Sequence, residues 1–467
     1  MKSANSGGSK NNKVVVVGGG GGGLCAAIAA SEAGAGEVTL LEKLPHLGGD
    51  TLISDQIISA AGTELQAKAG IVDTPHQYLV DHLKGGRYKS DIVLAATLIQ
   101  KGAAAWAWLA DKGCQFPGPE ALHVQHDHSL ARSVKLLPPG MIPPLKQAAL
   151  ARGVQIFYNT RATDLLVEDG RVVGVKAEQD GQPVTYQADS VILASGGFGR
   201  NREMVKETCP ALVEAVSWSS PGNTGDGIQM AQAIGAAVVS YPDMPLDAFR
   251  VIQTGADVKH KVLHPTYMMA HTRAQGAILV GADGKRFYDE MGRSFEVVQA
   301  AMTHGSFYFL IFDGRMATAT AWLPEKTFEA QLESAVNDGL VAAQAPTLAE
   351  LAEKIAIPST ALEETVAQWN RDVEGGKDTA FGRTESLGKI EQPPFYALRY
   401  KPAIVQTLGG LRISPQAQVL DSMGRPIPGL YAVGQITGGV HGADYIGGSA
   451  LLELAVFGVI AGENATR

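Results

Sequence analysis

The sequence holds only three cysteines in 467 residues, Cys25, Cys114 and Cys209, far apart and without metal-ligand spacing. That scatter argues against a disulfide framework, a structural zinc site and a cysteine-held iron–sulfur cluster. No C-x-x-C-H is present to attach a haem. Basic blocks are absent too: 39 Lys and Arg stand against 47 Asp and Glu, a net charge of -8, so no nucleic-acid partner is expected. The polar start MKSANSGGSKNNK lacks the apolar stretch of a secretory signal, and no membrane span is legible. A cytoplasmic location is the expectation. Hydrophobic residues at 45% and charged residues at 18% describe a folded chain long enough for two or three domains.

Glycine is what the chain has in excess, 55 residues with six consecutive at 18–23. The β-branched run Val14 to Val17 reads as a buried parallel strand. An alanine-rich helix from Leu24 to Ala33 follows, then a second strand, Val38 to Leu41, ending at Glu42 and Lys43. Gly18, Gly20 and Gly23 supply G-x-G-x-x-G, with Gly22 inside the same turn. The first glycine permits the tight turn, the second lets backbone approach a pyrophosphate, and the third lets helix close on strand. The anion would sit on unpaired N–H groups at the helix start, with Glu42 accepting from a ribose and Lys43 beside it as a further cofactor contact. Strand, turn, helix, strand and acid in this order predict a dinucleotide-binding fold. They do not separate one dinucleotide from another.

Farther along, Gly48, Gly49, Asp50 and Thr51 form a turn able to approach a ligand closely. Residues 55–113 read as largely helical, with Trp106 and Trp108 as packing residues. His126 and His128 flank Asp127 without a supporting ligand cluster, which suits a loop near a ligand better than a metal site. Metal ligands are therefore not assigned. Residues 155–177 alternate around a turn at Glu168-Asp169-Gly170, a hairpin signal. A strand over 185–193 runs into the small residues Ala194, Ser195, Gly196 and Gly197. Asp226 opens an amphipathic helix, where it either caps the helix or faces a ligand. The character changes near 241, where proline, histidine and aromatic residues increase, and returns to glycine-rich strands near 395. The expected organisation is a nucleotide domain in two parts, 1–240 and 395–467, with an inserted domain over 241–394.

The motifs VVVVGGGGGGL, GGDT, ILASGGFGRN, TGDGIQMAQAIGA, GAILVGADGKRFYDE, DTAFG and GLYAVGQITGGVHGADYIGGSALLELAVFGVIAG span nearly the whole chain. In that order they resemble flavoproteins of the soluble fumarate reductase, succinate dehydrogenase flavoprotein and 3-ketosteroid dehydrogenase type. The resemblance implies an α/β fold: a Rossmann-like FAD-binding domain of the glutathione-reductase type, interrupted by an α+β domain that caps the substrate. It implies FAD, held non-covalently. Gly18, Gly20 and Gly23 would hold the pyrophosphate and Glu42 the adenosine ribose, with Gly48, Gly49 and Thr51 on the phosphate and flavin side. Ala194, Gly196 and Gly197 would lie against the nucleotide, and Asp226 near the ribityl or phosphate region. Gly434 and Gln435 stand where the family has Gly-Glu. Ser449, Ala450, Leu451 and Leu452 would start a helix beneath the flavin.

The catalytic positions depart from the pattern. Fumarate reductases resemble HGANRLGG where this chain has His441-Gly442-Ala443-Asp444-Tyr445-Ile446-Gly447-Gly448, so Tyr445 replaces a substrate-clamping arginine. Val405-Gln406 replaces a histidine pair. Loss of both weakens any case for a dicarboxylate, which wants bidentate arginines. The ketosteroid dehydrogenases, with a tyrosine in this motif, resemble the segment more closely, which implies that Tyr445 binds a carbonyl oxygen. Arg293 stands where the family places its proton donor, and Arg273 matches a second relay arginine, while the relay glutamate aligns with Ala270. Tyr267, Tyr288 and His271 are alternative bases, and His264 matches a substrate-touching motif.

The expected activity is therefore FAD-dependent desaturation or reduction of a carbon–carbon bond beside a carbonyl, with an enone or ketone substrate and an unidentified electron donor or acceptor. The alternative is a fumarate-reductase-like enoate reductase for a monocarboxylate or aromatic acrylate, with Arg293 giving the proton. A flavin-binding subunit without turnover is the third reading.

Overall fold

The computed structural model describes residues 12–125, 127–240, 249–255, 272–292, 294–305, 307–318, 321–323, 326–327 and 341–467. Two compact units share the chain: one comprises 1–213, 218–250 and 406–467, the other 214–217 and 251–405.

The first unit is built on a sheet whose strands are β1 (Lys13–Val17), β2 (Glu37–Leu41), β3 (Gln155–Phe157), β4 (Ser190–Leu193), β5 (Gln418–Leu420) and β6 (Pro426–Ala432). Its order is β5-β6-β4-β1-β2-β3, parallel except at the β5 edge. Val14 to Val17 and Leu40 and Leu41 are all buried, as an interior parallel strand requires. Helix α1 (Gly21–Glu32) follows β1 directly, buried from Gly21 to Ala30. Helix α2 (Pro75–Gly85) starts with a Thr74 cap whose side chain accepts from Gln77 N–H. Helix α3 (Asp226–Ala233) and the terminal helix α4 (Ser449–Asn464) complete the elements that frame the site.

Helix α4 packs along α1 at backbone distance. A methyl group added at Gly458 would stand 2.5 Å from the Cys25 Cβ, and one at Gly462 would stand 2.4 Å from the Ala26 carbonyl oxygen. Two small residues one turn apart thus let the two helices touch. The interior of α4 carries one acid, Glu453, which is buried.

The hairpin signal at 168–170 corresponds to antiparallel strands Thr160–Glu168 and Arg171–Gln179. The single strand expected over 185–193 is instead two. Gln182–Gln187 belongs to the antiparallel sheet with that hairpin, and the chain crosses to the parallel sheet at Ala188 and Asp189. There, Asp189 N–H donates to the Lys13 carbonyl and its carboxylate accepts from Lys13 N–H at 2.8 Å. The stretch 55–113 contains helices but also the short strand Ile57–Ser59, paired with Ser133–Lys135.

In the second unit, Ile278–Val280, Tyr308–Asp313 and the long strand Phe395–Thr407 pair antiparallel around an apolar core that includes Phe312, Leu362 and Trp369. Residues 395–405, read in the sequence as part of the nucleotide domain, lie in this unit. Among the described residues, no single helix is long and apolar enough to cross a membrane.

Candidate active site

The glycine turn has the close contacts its spacing predicts. Gly18 takes φ +109°, and its amide donates to the Leu41 carbonyl at 2.8 Å. A methyl group on Gly23 would fall 1.9 Å from the Gly18 carbonyl oxygen, so helix and turn meet only because the residue is glycine. Ala194 N–H donates to the Val17 carbonyl at 2.7 Å and closes the other side of the turn. Gly20 precedes α1 without a side-chain cap, and the first turn of α1, which includes Gly22 and Gly23, carries no acid. Thr51 Oγ1 accepts from Gly21 N–H at 3.2 Å, which ties the Gly48 to Thr51 segment to the helix start.

Glu42 is buried and accepts from Gly19 N–H at 2.9 Å and Leu44 N–H at 2.8 Å, one bond on each oxygen. Each carboxylate oxygen keeps a second lone pair for a ribose hydroxyl. Lys43 and Asp226, both expected at the cofactor, are engaged with each other. They pair with one another, Nζ to Oδ2 at 3.1 Å, while Lys43 also donates to Thr224 Oγ1 at 2.6 Å and Arg161 Nε donates to Asp226 at 3.1 Å. Burial alone would raise the Asp226 carboxyl, but hydrogen bonds from Arg161 and Lys43 and the nearby charge bring it below its ordinary value. Asp226 therefore works as an ion-pair hub.

Gln435 is fixed by its carbonyl oxygen, which accepts from Gly197 N–H at 3.0 Å and Asn223 Nδ2 at 2.7 Å. Asn223 and the Ser220 N–H also donate to the Asp50 carboxylate. Burial pushes the Asp50 carboxyl above its ordinary range despite these bonds. Asn223 had no legible signal, because its role depends on Gly196 at φ +77°, where an added methyl group would run into Asn223. Beside Gly197 lies the buried hydroxyl of Thr407, without a hydrogen-bond partner among the described residues.

Helix α4 begins after Gly448 in the left-handed region, again with no side-chain cap and no acid in its first turn. Ser449 opens the helix, and its hydroxyl turns inward, donating to the Ile446 carbonyl at 2.6 Å and standing 3.2 Å from His441 Nδ1. Leu451 and Leu452 are buried and Ala450 is partly exposed. Gly434 takes φ +80° at the end of the β6 segment, and its carbonyl accepts from Thr437. The Tyr445 hydroxyl oxygen accepts from Gly448 N–H at 3.1 Å, so the phenol is tied to the start of α4.

Of the candidates in the second unit, Tyr288 donates to Glu296 at 3.2 Å. Burial first, then the Glu296 charge, raises its phenol above the ordinary value. A phenol so held stays protonated at neutral pH, which argues against Tyr288 as a base. Arg273 donates to the Glu290 carbonyl and its own carbonyl accepts from Arg383 Nη2 at 2.6 Å. Arg293, Tyr267, His264, His271 and His126 lie outside the described residues.

A family profile described as an FAD binding domain matches residues 13–451. The chain belongs to that family. It is similar to a probable fumarate reductase, Ifc3, of Shewanella frigidimarina, at 33% identity across 95% of this chain and 72% of the relative. Similarity to a urocanate reductase of Eggerthella lenta reaches 35% across 94% and 72%. Among solved structures, the open conformation of a flavocytochrome c3 fumarate reductase matches with TM-score 0.81 and 32% identity, over 99% of this chain and 79% of that one. The 3-ketosteroid-Δ4-(5α)-dehydrogenase of Rhodococcus jostii RHA1 matches with TM-score 0.77 and 26% identity, over 100% and 99%.

The fold is thus an α/β FAD-binding flavoprotein fold, and the chain is an FAD-dependent oxidoreductase acting on CH–CH or C=C bonds. The residues fit the cofactor. Two long helices, α1 and α4, begin with no acid and no side-chain cap, so their first N–H groups suit negative charge. A buried carboxylate on the β2 side and an unpartnered buried Thr407 hydroxyl beside Gly197 supply polar contacts at separate places along the cradle.

Proposed function

We propose that this family member reduces the double bond of an α,β-unsaturated monocarboxylate, including aryl-substituted acrylates. The observation that carries the reading is Tyr445, held through its oxygen by Gly448 N–H at the start of α4, where the fumarate-reductase pattern has an arginine. A phenol recognises one oxygen; it does not neutralise a second carboxylate as a guanidinium would. Similarity to proteins named for fumarate and urocanate reduction is closer in identity than similarity to the ketosteroid dehydrogenase. That difference favours an acid over the ketone first expected, although the Tyr445 motif itself resembles the ketone enzymes.

FAD, bound and first reduced by the electron donor, would supply the hydride for the substrate β-carbon and be left oxidised. Tyr445 hydrogen-bonds the carboxylate oxygen on which negative charge gathers as the double bond is reduced. Arg293 gives the proton to the α-carbon, a role resting on its place in the Arg286 to Arg293 segment. Non-covalent attachment of FAD belongs to the same proposal.

The test is anaerobic stopped-flow reoxidation of the dithionite-reduced, FAD-loaded protein by acrylate, cinnamate, fumarate and cyclohexenone. Rapid reoxidation by acrylate or cinnamate, abolished in Arg293→Gln and slowed in Tyr445→Phe, supports the reading. Reoxidation by cyclohexenone alone would restore the ketone assignment.

A further inference from the structure

Behind Tyr445 lie three buried side chains that the proposed reaction does not use: Tyr78 and His82 on α2, and His128. Their rings are neighbours. Tyr78 meets His128 edge-on with centroids 5.4 Å apart and His82 edge-on at 6.3 Å. His82 lies 5.9 Å from the His441 ring, which lies 6.0 Å from that of Tyr445. Each of the three has one buried polar atom with no hydrogen-bond partner among the described residues: the Tyr78 hydroxyl, His82 Nδ1 and His128 Nε2.

The surrounding hydrogen bonds decide which of these atoms give and which accept. Ser59 Oγ donates to the Gly447 carbonyl at 2.9 Å, so its contact with Ser133 Oγ at 2.7 Å uses the Ser133 proton. Ser133 Oγ, its proton spent, accepts from His128 Nδ1 at 3.2 Å. His82 Nε2 faces the Val440 carbonyl at 2.9 Å and must donate to it. Burial holds both imidazoles neutral, with His128 at about 4 and His82 at about 3. His128 Nε2 and His82 Nδ1 are therefore bare acceptors. Burial also keeps the Tyr78 phenol protonated, the Arg132 guanidinium 4.5 Å over its ring offsetting only part of that effect. The site presents one donor and two acceptors.

A water molecule offers two donors and accepts readily, and buried waters typically make about three hydrogen bonds. We infer that Tyr78, His82 and His128 close on one ordered water, and that Tyr78 so fixed is a positioning residue for the phenol of Tyr445. Three buried polar groups left unpaired would each keep an unrecovered desolvation cost, which a matched bridge removes. The path from Tyr78 to Tyr445 is a continuous row of rings, Tyr78 against His82, His82 against His441 and His441 against Tyr445. The charged or titratable groups around them are Arg132, Asp73, Asp81, His123, Asp444, His441 and Glu453.

This inference adds to the proposed role of Tyr445, and two readouts separate the two. The first needs no substrate. The ionisation of Tyr445 in the oxidised holoenzyme is read as the tyrosinate absorbance of wild type minus Tyr445→Phe, and again in the Tyr78→Phe background. A midpoint shift of about half a pH unit or more in Tyr78→Phe supports the positioning role, and an unchanged midpoint overturns it. The second is binding of 3-phenylpropionate to the oxidised holoenzyme, followed by the flavin difference spectrum. Tyr78→Phe should weaken binding about fivefold to tenfold without changing FAD content, and should add nothing to Tyr445→Phe. An equal loss in both backgrounds overturns the inference. Undiminished binding in Tyr445→Phe, with the midpoint shift present, would instead reject the carboxylate role proposed for Tyr445.

Discussion

The Nε2 of His441 stands 2.8 Å from a carboxylate oxygen of Glu453, and both side chains are buried. Ser449 gives its only proton to the Ile446 carbonyl, so His441 Nδ1 must donate to Ser449. The proton between Nε2 and Glu453 is then shared within the pair, whichever atom carries it. The pair joins the 441–445 loop to α4 and, through Thr437 at 3.2 Å from Glu453, to the Gly434 turn.

Glu453→Ala should lower stability by about 3–5 kcal/mol, because it leaves His441 buried with an unmatched ring nitrogen. Glu453→Gln, which keeps the shape and one hydrogen bond, should lose less. Urea unfolding midpoints of the three proteins, each saturated with FAD, measure the order.

Two glycines of the dinucleotide turn should behave differently. Gly23→Ala places a methyl group 1.9 Å from the Gly18 oxygen and forces the helix from the turn. A cost of about 1–3 kcal/mol is expected in the apoprotein itself. At Gly20 the nearest atom to an added methyl is the Gly48 oxygen at 3.7 Å, ordinary contact. Gly20→Ala should leave the apoprotein stable yet retain less FAD, since the G-x-G-x-x-G spacing puts this backbone where the pyrophosphate would approach. Flavin-to-protein absorbance ratios and apoprotein unfolding curves separate the two outcomes.

Acid should destabilise the fold before most carboxylates titrate. His82 and His128 have folded values of about 3 and about 4, below the ordinary 6.5. As pH falls through 6.5 the unfolded chain takes up these protons and the folded chain does not, so stability present above 6.5 is lost progressively toward about 4 and, for His82, about 3. Each histidine contributes a slope of up to about 1.4 kcal/mol per pH unit in that window. The difference in unfolding midpoint between pH 7 and pH 5 should shrink in His128→Gln.

In the second unit Glu290 is fully buried, accepting two bonds from Arg286 at 2.8 and 2.7 Å and one from Arg383 at 3.1 Å. Glu290→Ala should cost about 3–5 kcal/mol and expose residues 272–292 to proteolysis. Mass spectrometry of limited digests tests this, with unchanged cleavage there as the opposing result.

Legibility in the sequence followed distance along the chain. The Val14 to Glu42 segment was readable because strand, turn, helix and acid are neighbours and each rule is local. The hairpin turning at Glu168 to Gly170 and the terminal helix were readable for the same reason. Lys43 and Asp226 each carried a plausible local signal, yet their pairing joins residues on separate elements, and the sequence assigned both to the cofactor. Tyr78 and His82 are one helical turn apart, an apolar-looking pair until His128 and Tyr445 arrive from elsewhere. Gly429 shows the same limit: its φ of +77° is needed because the Val172 carbonyl lies against it, and nothing near it in sequence says so.

The glycine contact between α1 and α4 makes the two helix starts parts of one frame. With Gly458 and Gly462 pressed on Cys25 and Ala26, neither helix can slide without opening a void along the other. The spacing between the cradle at Gly20 and the Tyr445 loop is thereby gauged by the protein before any ligand arrives. A bulkier residue at Gly462, far along the helix from Tyr445, would act as a wedge at one end of a lever, with its effect read at the other.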